Sequence, residues 1–76
     1  MKTILITGAS GAIGVSLREL LKGRYTLRLQ ERPGGKPIGP AREGEEIVQA
    51  NVSDLESMRA AVRGVDAVVH LAASSA

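Results

Sequence analysis

The sequence contains no cysteine, tryptophan or phenylalanine, and Tyr25 is its one aromatic residue. Without cysteine the chain can hold neither a disulfide nor a cysteine-ligated zinc site, a composition that fits a reducing compartment. With one aromatic, the core must be aliphatic, and the stacking residues that accompany a nucleic-acid footprint are missing. His70 is the single histidine, so no second imidazole exists to build a metal site around it. No apolar run approaches the ~18 residues of a membrane span. Nor does a charged leader with an apolar centre and a small-residue cleavage site occur. Charge of one sign is not concentrated either: ten Lys and Arg face eight Asp and Glu, scattered along the chain. Single basic residues in such a pattern read as solvated surface. The expectation is a cytoplasmic protein with neither nucleic acid nor membrane as a partner.

What is present is an ordinary globular balance, 43% hydrophobic and 24% charged in 76 residues, enough for one small domain. Thr3 to Thr7 (TILIT) is apolar and β-branched without a polar face, the pattern of a strand buried on both sides of a parallel sheet. Ile13, Leu17, Leu20 and Leu21 then recur at helical spacing, with Lys22 in the last turn and Gly23 as the stop. Tyr25 to Gln30 alternates as a second strand. Pro33 to Gly44 holds three prolines and four glycines, a surface loop. Glu46 to Ala50 reads as a third strand. Ser53 with Glu56 has capping-box form, and Asp54 is an equally good cap one residue later. Leu55, Met58, Ala61 and Val62 make the next apolar helical face, ended by Gly64, and Ala67 to Leu71 is a fourth strand. The order β-α-β-β-α-β predicts an α/β fold, a Rossmann-type parallel sheet in the order 3-2-1-4. This is the first half of a doubly wound nucleotide-binding fold, with a loop in place of the helix before the third strand.

The turn between the first strand and helix carries Gly8, Gly11 and Gly14 at three-residue spacing. Alone this is compatible with a plain tight turn. Its context, strand before and helix after, is the one a phosphate cradle requires. Gly8 can take a conformation closed to side chains. Gly11 lets backbone approach a pyrophosphate, and Gly14 lets the helix lie close on the sheet. The helix start supplies N–H donors and partial positive charge to the phosphates, with Ser10, Ala12 and Ile13 in the same turn. No Gly-Lys-Ser/Thr follows, so a P-loop is excluded. Glu31 stands 17 residues after Gly14, where a carboxylate can accept from both hydroxyls of an adenine ribose and repel a 2′-phosphate. Arg32 beside it keeps a 2′-phosphate open. NAD is the favoured cofactor and NADP the lesser alternative.

Thr7-Gly8-Ala9-Ser10-Gly11-Ala12-Ile13-Gly14 resembles the TGxxGxxG turn of short-chain dehydrogenases/reductases. Asn51-Val52-Ser53-Asp54 resembles the D-[LV]-x-D segment, and His70-Leu71-Ala72-Ala73 the H-L-A-A segment, of the extended branch, the NAD-dependent epimerase/dehydratase family. "LRLQERP" and "VDAVVHLA" look most like its uronate-dehydrogenase-type members. The resemblance implies that Asn51 and Val52 flank the adenine, with Asn in place of the usual Asp, and that Leu71, Ala72 and Ala73 line the ribose side. It also implies a homodimer in the complete protein. His70 itself reads as a packed or hydrogen-bonded strand residue.

The family's Tyr-x-x-x-Lys is missing: Leu29 stands four residues after Tyr25. No catalytic residue is therefore assigned. The expectation is that residues 1–76 form the N-terminal, cofactor-binding part of an oxidoreductase, epimerase or dehydratase acting on a sugar, sugar acid or nucleotide sugar, and that they are inactive alone. A non-catalytic dinucleotide sensor on the same fold, or a structural domain, are the readings that remain beside it.

Overall fold

The computed structural model describes residues 1–71. Its elements follow the expected order: β1 (Thr3–Thr7), α1 (Ala12–Leu21), β2 (Thr26–Glu31), β3 (Glu45–Gln49), α2 (Leu55–Ala61) and β4 (Ala67–His70). The four strands form one sheet in the order β3-β2-β1-β4, and every pairing is parallel. The Rossmann-type first half read from the alternation is thus the architecture observed. β2 and β3 begin a residue later and a residue earlier, respectively, than the side-chain pattern suggested. The crossover between these two parallel strands is the loop of residues 32–44, with no helix in it.

Both faces of the sheet are covered at β1 and β2, which explains the apolar first strand, whereas β4 is largely exposed. On one face Ile6, Ala9, Leu27 and Leu29 pack with Leu17 and Leu21 of α1, and with Tyr25 and Ile38. On the other, Leu5, Ala50 and Ala61 pack with Met58 and Val65. Leu5, Ile6, Leu27 and Leu29 are wholly removed from solvent, each contributing about 1.5–3 kcal/mol of burial.

The helical stripes are wider than the contact this sheet offers. Ile13 and Leu20 of α1, and Leu55 and Val62 of α2, were expected in the apolar faces but are exposed. Four short strands accept only the centre of each stripe, Leu17 and Leu21 on one side and Met58 and Ala61 on the other.

The second helix is capped by Asp54 rather than Ser53. The Asp54 carboxylate accepts from Glu56 N at 3.1 Å, while Ser53 N donates to Asn51 Oδ1 at 2.9 Å. Its other end is capped from the sheet. Arg28 Nη1 donates to the carbonyls of Ala61 at 2.8 Å and Arg63 at 2.6 Å, and its Nε donates to Glu46 at 2.6 Å. Arg28, read from sequence as solvated surface, is therefore structural.

The same holds for Arg18 and Arg42. Arg18 donates to both carboxylate oxygens of Glu45, at 2.8 and 2.6 Å. It also donates to Pro40 O at 3.2 Å. Arg42 adds a second cation to Glu45 and pairs with Glu19. The Glu45 side chain is 1% exposed and that of Arg18 11%. Hydrogen bonding from Arg18, stronger than the opposing cost of burial, holds the Glu45 carboxyl at about 2, well below its ordinary value. This network fastens α1 to the end of the loop and the start of β3.

Candidate functional site

β1 ends at Thr7, and the chain reverses through Gly8 to Gly11 before α1 begins. Gly8 lies at φ 71°, the left-handed region that side chains rarely enter, and its carbonyl accepts from Gly11 N at 3.1 Å. Gly14 is required for a different reason. A Cβ there would lie 2.7 Å from the Cα and the carbonyl oxygen of Ala9, so the first turn of α1 sits against the backbone of the turn more closely than a side chain allows. The close approach is to Ala9, just past β1, rather than to the sheet proper.

Gly11 differs from both. Its φ is −79°, ordinary for any residue, and a Cβ would meet only Gly8 O at a comfortable 3.5 Å. Neither backbone conformation nor internal packing calls for glycine here. What the absent side chain leaves is open space in front of the helix start.

That helix start carries no cap. Gly11 offers no side chain, and no acidic residue stands in the first turn. The first helical N–H with an acceptor is that of Val15, donating to Gly11 O at 2.9 Å. The N–H groups of Ala12, Ile13 and Gly14 precede it, the donors that a helix leaves without an internal partner. They concentrate the positive end of the helix dipole at this point.

A cleft of about 360 Å³ opens in front of the turn. Gly8, Ser10 and Gly11 line it from the turn, Gln30 and Arg32 from the end of β2, and Gly35 and Lys36 from the loop. Val52 and Leu71, from the segments after β3 and β4, complete the lining. Six expected site residues, Gly8, Ser10, Gly11, Arg32, Val52 and Leu71, thus come together. Ala12, Ile13 and Gly14 form the first turn of α1 and are not among the lining residues. Ala72 and Ala73 lie outside the described residues.

Glu31 and Asn51 are not among the lining residues, and both hold contacts within the protein. Glu31 was assigned to ribose hydroxyls, yet its carboxylate faces the loop, accepting from Ile38 N at 2.8 Å and from Gln49 Nε2. Parallel pairing sets Glu31 beside Gln49, and the returning loop delivers the Ile38 N–H. Asn51 was to flank an adenine, but its side-chain oxygen closes the turn into α2 through Ser53 N, leaving Val52 on the cleft.

Gln30 is the residue that sequence reasoning passed over. It is 4% exposed. Its Nε2 donates to Ala50 O at 2.6 Å and its Oε1 accepts from Gly8 N at 3.1 Å. One side chain thereby ties the glycine turn to the end of β3. The available signal was a polar residue ending a strand buried on both faces, which needs an internal partner.

His70 behaves as a hydrogen-bonded strand residue. Its Nδ1 shares a 2.8 Å hydrogen bond with the hydroxyl of Thr7, its neighbour in the β1–β4 register. Among the described residues no cluster of His, Cys, Asp and Glu could hold a metal ion, and no helix is long and apolar enough to cross a membrane.

A parallel sheet in this order, with an uncapped helix start facing a cleft at the carboxyl ends of the strands, defines the dinucleotide-binding class of α/β fold. Residues 4–76 match the model of the NAD dependent epimerase/dehydratase family, and the chain belongs to that family. It is 39% identical over 69 residues to a uronate dehydrogenase from Pseudomonas putida, covering 88% of this chain and 25% of that one. It is 34% identical over 71 residues to an NAD-dependent glucose-6-phosphate dehydrogenase from Haloferax volcanii, covering 91% and 27%. Among solved structures, a mutant uronate dehydrogenase from Agrobacterium tumefaciens complexed with NAD superposes with a TM-score of 0.84 at 39% identity. That match covers 99% of this chain and 28% of the other. The chain therefore spans about a quarter of the length of the curated relatives it matches.

Proposed function

We propose that this chain forms the cofactor-binding portion of an NAD-dependent dehydrogenase or epimerase acting on a sugar-type substrate, with a sugar acid the best-supported class. The observation that carries the reading is the pairing of an uncapped α1 start with an unfilled position at Gly11. Donors and space coincide where a pyrophosphate needs both. Uronate dehydrogenases among the similar proteins support the substrate class.

In this reading the N–H groups of Ala12, Ile13 and Gly14, with Ser10, take the pyrophosphate, and Gln30 holds the turn that presents them. Val52 lies against the adenine, and Leu71 closes the side beneath β4. When bound, the nicotinamide supplies the hydride chemistry. Residues 1–76 orient the dinucleotide and offer no Tyr-x-x-x-Lys for proton transfer, so they bind without catalysing; the complete protein acts as a homodimer.

Titration of the protein with NADH, followed by cofactor fluorescence, is expected to give saturable one-to-one binding that inorganic pyrophosphate competes away. Absence of binding at millimolar NADH would refute the proposal.

A further inference from the structure

The two edges of the sheet are protected differently. β3, at one edge, begins with Glu45 and Glu46, and charge on an edge strand discourages pairing with another chain. β4, at the other edge, reads AVVH, with neither a charged residue nor a proline. Ala67, Val68 and His70 are exposed, Val68 at 48%. Among the described residues no strand pairs with the outer side of β4. An uncharged strand with a row of unpaired backbone groups is a template for another strand.

The register of β4 shows which strand fits it. Asp66 N donates inward to Thr3 O at 2.9 Å. Successive residues direct their backbone groups to alternate sides, so Ala67 and Val69 direct theirs outward. Side chains alternate as well: Val68 and His70 lie beside Leu5 and Thr7, with Asp66 on the same face, whereas Val69 lies beside Ile6 and packs into the opposite core. The segment Asp66–His70 is complementary to itself. A two-fold axis at Val68 opposes Ala67 to Val69, Val68 to its own copy, and Asp66 to His70 across the interface. Ala67 and Val69 then exchange N–H···O bonds, and Val68 meets its copy in the closer, non-hydrogen-bonded position, with Cα atoms about 4.5 Å apart. The Asp66 Oδ2 accepts from Thr3 N at 2.7 Å, which leaves Oδ1 to face the ring. With Nδ1 of His70 held by the Thr7 hydroxyl, the imidazole presents Nε2 to that carboxylate.

We propose that β4 is a docking strand for a second copy of this chain, paired antiparallel about Val68 into one continuous sheet. A single strand pair buries less than the ~1,200 Å² of a tight interface, so the association is weak and concentration-dependent. It is a property of residues 1–76 and is independent of the dinucleotide-binding reading.

The test is sedimentation equilibrium of the protein, which is expected to be monomeric at about 1 μM and chiefly dimeric at about 1 mM. Val68→Lys sets like charges against each other on the axis. It is expected to be monomeric at about 1 mM with an unchanged far-UV circular dichroism spectrum, because Val68 is half-exposed. Val68→Cys gives a chain without cysteine its one thiol. With diamide as oxidant, it is expected to form disulfide-linked dimers about tenfold or more faster than Val62→Cys, since only the axis position brings the two Cβ atoms within bonding reach. Val62 is an exposed position outside the strand. A wild-type protein that stays monomeric at about 1 mM, a folded Val68→Lys variant that still dimerises, or Val68→Cys that links no faster than Val62→Cys overturns the inference.

Discussion

The two helices of this chain begin in opposite ways. α2 completes its own ends: Asp54 caps the first turn, Glu56 complements the dipole, and Arg28 reaches across from β2 to take the last carbonyls. α1 starts at Gly11 with no capping side chain and no acid in its first turn. A cap is within reach of almost any Ser, Thr, Asp or Asn at that position, and the geometry at Gly11 would admit one. The difference teaches what each helix end asks of its surroundings. α2 is finished by the protein, whereas under the proposed function α1 is finished by the pyrophosphate, and the glycines follow the same division. Gly8 and Gly14 serve the protein's own turn, whereas neither conformation nor packing calls for glycine at Gly11.

The largest way to disturb this comparison is to push α1 off its seat. Gly14→Ala places a Cβ 2.7 Å from the Ala9 backbone, and overpacking of that kind costs about 3 kcal/mol. Chemical denaturation is expected to show that loss, with cofactor binding lost in parallel.

The next effect comes from the fastening of α1 to β3. The Glu45 carboxyl is depressed from 4.5 to about 2 by Arg18, so its stabilisation is present above pH 4.5 and is lost as pH falls through about 2. Glu45→Gln is expected to cost about 2 kcal/mol at neutral pH and to shrink the acid-side loss of stability, as read from melting curves at pH 7, 4 and 2.5. An unchanged acid profile would mean that the network fastens nothing.

The smallest effect converts α2 into the α1 type. Asp54→Ala removes the cap at a cost of about 1 kcal/mol. It is expected to lower the thermal midpoint while leaving NADH affinity unchanged, because Asp54 is not among the residues that line the cleft.

How far these features could be read in advance follows from the range of the forces involved. The strands, their order and the turn at Gly8 follow from local pattern and the alternation of elements, whereas the close approach at Gly14 proved to be to Ala9 rather than to the sheet. The exposure of Ile13 and Leu20 was not, because it depends on how much sheet is there to receive α1. Gln30 and the Arg18–Glu45 pair were hidden for a related reason. Each meets its partners across the sheet or along a glycine- and proline-rich loop that no periodicity describes. Glu31 shows the limit most clearly. Its position in the chain was read correctly, but its partners, Ile38 and Gln49, arrive through the loop's path and the β2–β3 register.

The central claim, that α1 is left uncapped to receive a pyrophosphate, is tested most directly by giving it the cap it lacks. Gly11→Asp supplies a capping carboxylate and a negative charge where the phosphates would sit, so NADH titration of this variant beside the wild type isolates the helix start. The expected result is a thermal midpoint equal to or slightly above wild type, with NADH affinity reduced by about a hundredfold or more. A folded Gly11→Asp variant that binds NADH as tightly as the wild type would contradict it.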